Sequence, residues 1–192
     1  PKGSIKQNLV KPKPSAIANM AGAKKQVSAK TPSDATVVEP GKSIQDALNT
    51  AAGRKGTVIV KAGIHTLPST LKIPSGVTLA GEGIETVLFL DPKSGVRDAI
   101  VNAEPDLNNV TIRDLVIEGA LQTTIHSDPN STRSFRSTAN RGGIMFLGLK
   151  EGQMKNITLK NVTVRNCTYN GVFISGSENL SILSCDFNEN GS

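Results

Sequence analysis

The sequence predicts an all-β fold, a right-handed parallel β-helix (solenoid) with an N-terminal capping helix. The strongest observation is a short pattern that occurs three times, at 109–118, 156–165 and 179–188. Each copy begins with Asn, alternates aliphatic with polar residues, and carries Asp, Asn or Ser near its middle. The interval from the first copy to the second is about twice the interval from the second to the third, so it contains one period and an insertion of similar length. A period built from two short alternating segments is typical of stacked parallel coils, and parallel crossovers are overwhelmingly right-handed.

Composition and charge favour a slim aliphatic interior behind a basic segment. Aromatic residues make up 3% of the 192 residues and Trp is absent. No apolar run reaches the roughly 18 residues of a membrane-spanning helix. Residues 1–35 hold seven Lys and one Asp, which accounts for the whole net charge of +6. This distribution is poor evidence for a nucleic-acid groove, and 1–35 is predicted to be a flexible segment ahead of a domain at 36–192.

A short capping helix is predicted at 43–53. Ser43 followed by Asp46 resembles a capping box, in which the hydroxyl accepts a backbone N–H and the carboxylate favours the helix start. Gly53 is placed to end the helix. The apolar residues between these signals share one face: Ile44, Ala47, Leu48 and Ala51. A solenoid needs such a plug, because its first coil otherwise exposes an apolar end and unpaired strand edges.

Coils of three short strands each are predicted from residue 56 onward. In the first coils, strand-like segments at 57–60, 70–73, 77–80 and 86–90 are separated by turns, and 99–103 is a further strand. Later coils take their third strand from 142–148 or 170–176. With period 2, the inward positions of the later coils are Val110, Ile112, Leu115, Ile117, Ile144, Phe146, Ile157, Leu159, Val162, Val164, Val172, Ile174, Leu180, Ile182, Cys185 and Phe187.

Polar residues at fixed positions predict the bends between strands. Asp114, Asn161 and Ser184 align between two strands, and such residues tolerate left-handed backbone and bond to neighbouring peptide groups. The two cysteines, Cys167 and Cys185, fall at different parts of the cross-section, which favours free thiols packed as small hydrophobes. No metal site is predicted, because partners at useful spacing are lacking.

Four stretches at the start of the domain carry a family resemblance. They are IQDAL (44–48), GTVIVKAGIHTL (56–67), LKIPSGVTLAGEG (71–83) and TVL (86–88). In this order they resemble the N-terminal end of the pectin-lyase-like right-handed parallel β-helix superfamily, over about 36–192. The resemblance implies a secreted, periplasmic or cell-surface protein that acts on polysaccharides. It identifies no catalytic motif and leaves the cofactor unknown, with calcium as the family's candidate.

The insertions between the first two copies predict where chemistry resides, because binding residues collect on loops of a rigid scaffold. The larger insertion is at 120–142, and a smaller one follows residue 148. Arginine forks bind carboxylates, and lyase chemistry on a uronate needs a cation and a base. The predicted catalytic residues are His126, Arg136 and Arg141. The predicted substrate-binding residues are Arg133, Asp128, Lys150 and Tyr169, of which Tyr169 is also a candidate acid.

These features favour a secreted, polysaccharide lyase-like protein acting on an acidic, uronate-containing polysaccharide. One alternative is a non-catalytic glycan-binding or structural cell-surface solenoid. Another is a glycoside hydrolase whose catalytic acids lie outside this sequence. Hydrolysis needs two converging carboxylates, and the residues predicted to point outward on the third strands are Met145, Leu147, Phe173 and Ser175. The outward acids Asp114, Glu118 and Asp186 fall on another sheet, where Glu118 aligns with Arg165 and Asn188 as a surface ladder.

The expected partner is a polysaccharide, with no nucleic acid and no transmembrane segment. The outward apolar residues Met145, Leu147 and Phe173 are expected to lie beneath a loop or a partner. The sequence stops just after a predicted strand, without a capping segment. Further C-terminal coils, or a second chain over the open end, are therefore expected.

Overall fold

The computed structural model describes residues 34–91, 94–119 and 142–191. One helix and thirteen strands follow each other in these ranges. The predicted flexible segment 1–35 lies almost wholly outside them and stays a prediction. The elements are β1 (Thr36–Val38), α1 (Ile44–Ala52), β2 (Thr57–Val60), β3 (Gly63–Thr66), β4 (Leu71–Ile73), β5 (Thr78–Ala80), β6 (Thr86–Phe89), β7 (Asp98–Asn102), β8 (Asn108–Glu118), β9 (Gly142–Leu147), β10 (Met154–Arg165), β11 (Val172–Ser175), β12 (Ser177–Leu183) and β13 (Asp186–Asn188).

Helix α1 forms where the sequence signals place it. The Asp46 N–H donates to Ser43 Oγ at 3.1 Å, as a capping residue requires. The predicted apolar face is buried in full: Ile44, Ala47, Leu48 and Ala51. Gly53 follows the last helical residue but keeps right-handed backbone, with φ −63°. The left-handed residue of this turn is Lys55, with φ 53°.

One side chain of α1 bonds to the edge of a sheet. The Lys72 N–H donates to Gln45 Oε1 at 2.8 Å, and Gln45 Nε2 donates to the Lys72 carbonyl at 3.1 Å. Lys72 lies on β4, the edge strand of a four-stranded sheet. The Gln45 amide therefore takes the place of a neighbouring peptide group and satisfies backbone groups that an edge strand leaves unpaired.

The described strands pair in parallel and stack in three columns. The first column contains β1, β2, β5, the first halves of β8 and β10, and β12. The second contains β3, β6, the second halves of β8 and β10, and β13. Because β8 and β10 run through both columns, these strands form one nine-stranded sheet. The third column is a separate four-stranded sheet in the order β11-β9-β7-β4.

The register of the strands pairs matching positions of the three copies. Ile157 of the second copy pairs with Val110 of the first and with Leu180 of the third, at matching positions of the pattern. Strand β3 differs from the prediction, which assigned its residues to a turn. Its few residues are too short a run to show an alternating pattern, and it forms by pairing with β6. Its third residue, His65, points inward and is buried.

Left-handed residues mark the bends between columns. Asp114, Asn161 and Ser184, predicted as bend residues, have φ of 57°, 52° and 52°. A second set of left-handed residues was not predicted. Each member lies two residues before a Thr or Ser of the first column, and these Thr and Ser residues are register partners from strand to strand. The members of this set, all with positive φ, are Lys55, Gly76, Asn109, Asn156 and Asn179.

The asparagines of these two sets also bond to each other from coil to coil. Asn156 Nδ2 donates to Asn109 Oδ1 at 2.8 Å, and Asn179 Nδ2 donates to Asn156 Oδ1 at 3.1 Å. At the other bend, Asn161 Nδ2 donates to Asp114 Oδ1 at 2.8 Å. The predicted turn ladder is therefore present.

Inward residues from all three columns belong to one hydrophobic core. Ile112, Leu115 and Phe146, one from each column, are almost fully buried. The last described coil differs, because no described coil packs on its far side. Three of its predicted inward residues are partly exposed there: Leu180, Ile182 and Phe187. Cys185 is half-buried against the core. Within the described ranges, no helix has the length and apolarity needed to cross a bilayer.

Candidate functional site

The chain leaves the nine-stranded sheet at Gly119 and enters the four-stranded sheet at Gly142, so these residues mark the two ends of the predicted insertion. The Gly119 N–H donates to the Arg165 carbonyl at 2.8 Å, and the Gly142 N–H donates to the Arg97 carbonyl at 3.0 Å. Both glycines are buried. A Cβ on Gly119 would lie 2.2 Å from the Asn166 carbonyl oxygen. Both ends of the insertion are thus held tightly against neighbouring coils.

A polar cluster of Glu118, Arg165 and Asn166 lies beside the first of these ends. Arg165 Nε donates to Glu118 Oε2 at 2.5 Å, and Asn166 Nδ2 donates to Glu118 Oε1 at 2.6 Å. The register of Glu118, Arg165 and Asn188 confirms the predicted surface ladder. The Glu118 side chain is 19% exposed. Because both of its oxygens accept hydrogen bonds, Glu118 is a structural carboxylate rather than an available general base.

Cys167 lies behind this cluster and is fully buried. Burial raises the pKa of its thiol to about 12, and the nearby carboxylates of Glu118 and Asp98 add to the shift. Its N–H donates to Asn190 Oδ1 at 3.1 Å. A thiol held neutral in this way is a poor nucleophile. Cys167 is therefore a packing residue, and both Cys167 and Cys185 are free thiols.

The outer face of the four-stranded sheet carries a continuous apolar strip. Lys72, Val101, Met145 and Phe173 are register partners in one outward row, and Leu147 pairs with Ser175 in the next row. Phe173 and Leu147 are 41% and 48% exposed. We call Val101, Met145, Leu147 and Phe173 the apolar strip. It crosses the strands along the stacking direction, with about 4.8 Å between successive coils.

The outward direction of Met145, Leu147 and Phe173 is confirmed by burial of the alternate residues Ile144 and Phe146. Sequence reasoning missed that Lys72 and Val101 extend the same row. The available signal was the pattern of two short stretches, LKI and AIV. Lys72 is the middle residue of the first and Val101 is the last residue of the second, and neither belongs to the core. Lys72 is exposed at the helix end of the row.

The predicted site residues divide into two groups. Five of them lie outside the described residues, and their roles stay predictions: His126, Asp128, Arg133, Arg136 and Arg141. The other two, Lys150 and Tyr169, are both exposed. Tyr169 precedes β11, on the side where the insertion ends, whereas Lys150 follows β9 at its opposite end. A strand of the length of β9 spans about 20 Å, so these two side chains belong to opposite borders of the sheet.

The described residues do not offer a metal site. No three His, Cys, Asp or Glu side chains come together in 34–91, 94–119 and 142–191. Calcium prefers six to eight oxygen ligands, several of them carboxylates, and Glu118 beside the insertion already accepts hydrogen bonds through both of its oxygens. The described part of the chain therefore does not fit calcium, and no chemical step is assigned to it.

Comparison with known proteins gives no sequence-based family. No family model matches the chain, and no curated protein matches it. Solved structures that are similar to it include the A-modules of two mannuronan C-5 epimerases from Azotobacter vinelandii. The AlgE4 module is 20% identical with a TM-score of 0.48, over 76% of this chain and 46% of that one. The AlgE6 module is 18% identical with a TM-score of 0.45, over 77% of this chain and 52% of that one. The chain thus spans about half the length of the parallel β-helix proteins that it resembles.

Proposed function

We propose that the two parallel sheets belong to a right-handed parallel β-helix whose first coil is capped by α1. Strand β10 pairs with β12 and β13 at one constant offset, since Ile157 pairs with Leu180 and Val164 with Phe187. This constant offset supports a coil that returns to the same place. The Gln45 amide bonded to the edge of β4 supports a capping role for the helix. The right hand follows from the strong preference of parallel crossovers.

We further propose that this scaffold binds and acts on an acidic polysaccharide, and that the protein is secreted or held at the cell surface, where such polymers occur. The observation that carries the proposal is the apolar strip with Lys72 in the same row. The apolar faces of sugar rings pack on exposed aromatic and aliphatic side chains, and an ammonium group pairs with a uronate carboxylate. The spacing of the strip, about 4.8 Å per coil, is close to the length of one sugar unit.

We propose a lyase reaction for this surface. It requires a base for the proton beside the carboxylate and a cation for the enolate-like intermediate. Tyr169 is exposed at the insertion side of the strip, where it is available as a general acid. We assign the base and the cation to His126, Arg136 or Arg141 of the insertion, whose ends at Gly119 and Gly142 border the same side.

Two alternatives remain distinguishable from a lyase. The apolar strip and the described residues of its row include no carboxylate, which disfavours a hydrolase that works on this strip. A non-catalytic glycan-binding or structural solenoid would use the same strip for binding and leave the polymer intact. Product formation therefore separates the enzyme from the binding module.

The test measures cleavage and binding separately. The protein is incubated with polygalacturonate, alginate and glycosaminoglycans, while the ultraviolet absorbance of unsaturated uronate ends is followed. Affinity electrophoresis or calorimetry gives the Kd for each polymer. We expect Phe173→Ala to raise the Kd at least about tenfold, equivalent to about 1.4 kcal/mol, because it removes the aromatic ring of the strip.

Ile64→Ala is the matched control. Ile64 is 68% exposed on β3, in a different column, so its truncation removes exposed apolar surface without touching the strip. Equal Kd values for Phe173→Ala and the parent protein would contradict the proposed surface. Binding without absorbing products would identify a binding module in place of a lyase.

A further inference from the structure

An open pocket of about 510 Å³ lies where β4 and β7 begin. Two segments line it, residues 68–70 and residues 94–98. They precede neighbouring strands of the four-stranded sheet. The pocket therefore lies at the border of the sheet where the strands begin, and the ends of the insertion lie at the same border. Its volume falls in the range of about 300–1,000 Å³ that is usual for small-ligand sites.

The backbone of one wall is fixed by several bonds. Ser94 Oγ donates to the Asp91 carbonyl at 2.7 Å and accepts from the Val96 N–H at 3.2 Å. The turn is completed by Gly95, which has φ 72°. The Val96 side chain is buried, and the Arg97 carbonyl accepts from Gly142, the residue that ends the insertion. The wall is therefore preformed, which lowers the entropic cost of binding.

The positive charge in this pocket is supplied by Arg97, which is exposed. No acidic side chain of the described ranges forms an ion pair with it. The neighbouring Asp98 is half-buried and lies close enough to Cys167 to affect that buried thiol. Asp98 also lines the pocket, but it is half-buried whereas Arg97 is exposed, so the guanidinium of Arg97 is the more accessible charged group for a ligand.

The opposite wall offers hydroxyl groups. Ser69 is exposed and Thr70 is half-buried. Hydroxyls of this kind donate to and accept from sugar hydroxyls. A guanidinium presents two parallel N–H groups to one carboxylate. Together the two walls provide one carboxylate-binding group and two hydroxyls across a space of sugar size.

We propose that this pocket is a subsite for one uronate unit of the acidic polysaccharide, with Arg97 binding the carboxylate and Ser69 and Thr70 binding ring hydroxyls. The proposal rests on the proposed function and adds to it the group that distinguishes an acidic from a neutral polymer. Lys72 lies two residues beyond Thr70 and Val101 lies three residues beyond Asp98, so the pocket adjoins the row that contains the apolar strip.

The test uses two forms of one ligand, a uronate oligosaccharide and the same oligosaccharide with its carboxyl groups reduced to alcohols. We expect Arg97→Gln to raise the Kd for the uronate form by about 10- to 100-fold, the range of a hydrogen bond to a charged group. Its Kd for the reduced form stays within twofold of the parent value. Ser69→Ala weakens both forms by the same few-fold factor, since it removes a hydroxyl contact only.

Arg54→Gln is the control, because Arg54 is also an exposed arginine but lies after α1 and donates to Thr36 Oγ1 at 2.5 Å. It should leave both Kd values unchanged. Uronate binding that Arg97→Gln leaves intact, while Phe173→Ala still weakens it, overturns the subsite and spares the proposed function. A parent protein that binds no uronate polymer overturns both.

Discussion

Gly119→Ala tests how closely the coils must approach where the insertion begins. A Cβ at this position would lie 2.2 Å from the Asn166 carbonyl oxygen, 2.6 Å from its carbonyl carbon and 2.7 Å from the Cys167 Cα. Ordinary contacts begin at 3.4 Å, and all three atoms belong to the backbone of the next coil. No side-chain rotation can relieve the overlap, so one coil must move away from the other.

The cost follows from the contacts that such a movement disturbs. Overpacking in a tight interior costs about 1–3 kcal/mol. The movement also weakens the hydrogen bond from Gly119 to Arg165, worth about 1 kcal/mol. We therefore expect the free energy of unfolding to fall by about 2–4 kcal/mol. For a chain of this size, 1 kcal/mol corresponds to about 2–4 °C in Tm, so the Tm falls by roughly 4–16 °C.

Thermal melts and urea titrations followed by circular dichroism measure both quantities. Gly53→Ala is the matched control, because Gly53 has φ −63° and no atom lies within 4 Å of the position that a Cβ would take. The control should gain about 0.4–1 kcal/mol through a less flexible unfolded chain. A Gly119→Ala protein that melts within about 2 °C of the parent, the shift expected for 1 kcal/mol or less, would refute the argument for tight packing at this site.

Three further predictions concern single side chains. Asn161→Ala should lower the free energy of unfolding by about 2 kcal/mol in urea titrations, and Asn161→Gly by less, because only Ala meets the left-handed penalty of about 1–2 kcal/mol. The hydrogen bond from Lys61 holds the pKa of Glu82 below its ordinary value of 4.5. Its contribution to stability is therefore present above pH 4.5 and lost as the pH falls through the lowered pKa. Urea midpoints of Glu82→Gln and the parent should converge in acid and differ at neutral pH. Since the pKa of Cys167 is raised to about 12, a thiol reagent in mildly alkaline buffer should modify the half-buried Cys185 and leave Cys167 unmodified until the protein unfolds.

Much of the scaffold could be predicted because its rules repeat. The spacing of the three copies indicated the register of β8, β10 and β12 directly, and Ser43 with Asp46 indicated the start of α1. The pairing of Glu118 with Arg165 followed from the same spacing. These features depend on local backbone preferences and on a regular period, both of which a single sequence contains.

The first coils and the pocket were harder to predict. Strand β3 has too few residues to show alternation, and its stability comes from pairing with β6. Arg97 is one arginine among many in the sequence. Its significance depends on residues 68–70, which precede a neighbouring strand and form the other wall of the pocket. The bond between Asn166 and Glu118 likewise depends on left-handed backbone at Asn166, with φ 56°, and no repeat signals it.

The left-handed residues Lys55, Gly76, Asn109, Asn156 and Asn179 bear on how such a chain can become longer. Lys, Gly and Asn all fill this position in different coils, so the requirement is one of backbone shape rather than of a particular side chain. A duplicated coil with the same period would therefore meet compatible neighbours on both sides. Each such duplication would lengthen the outer surface by about 4.8 Å, which is close to one more sugar unit of the polymer that we propose as the ligand.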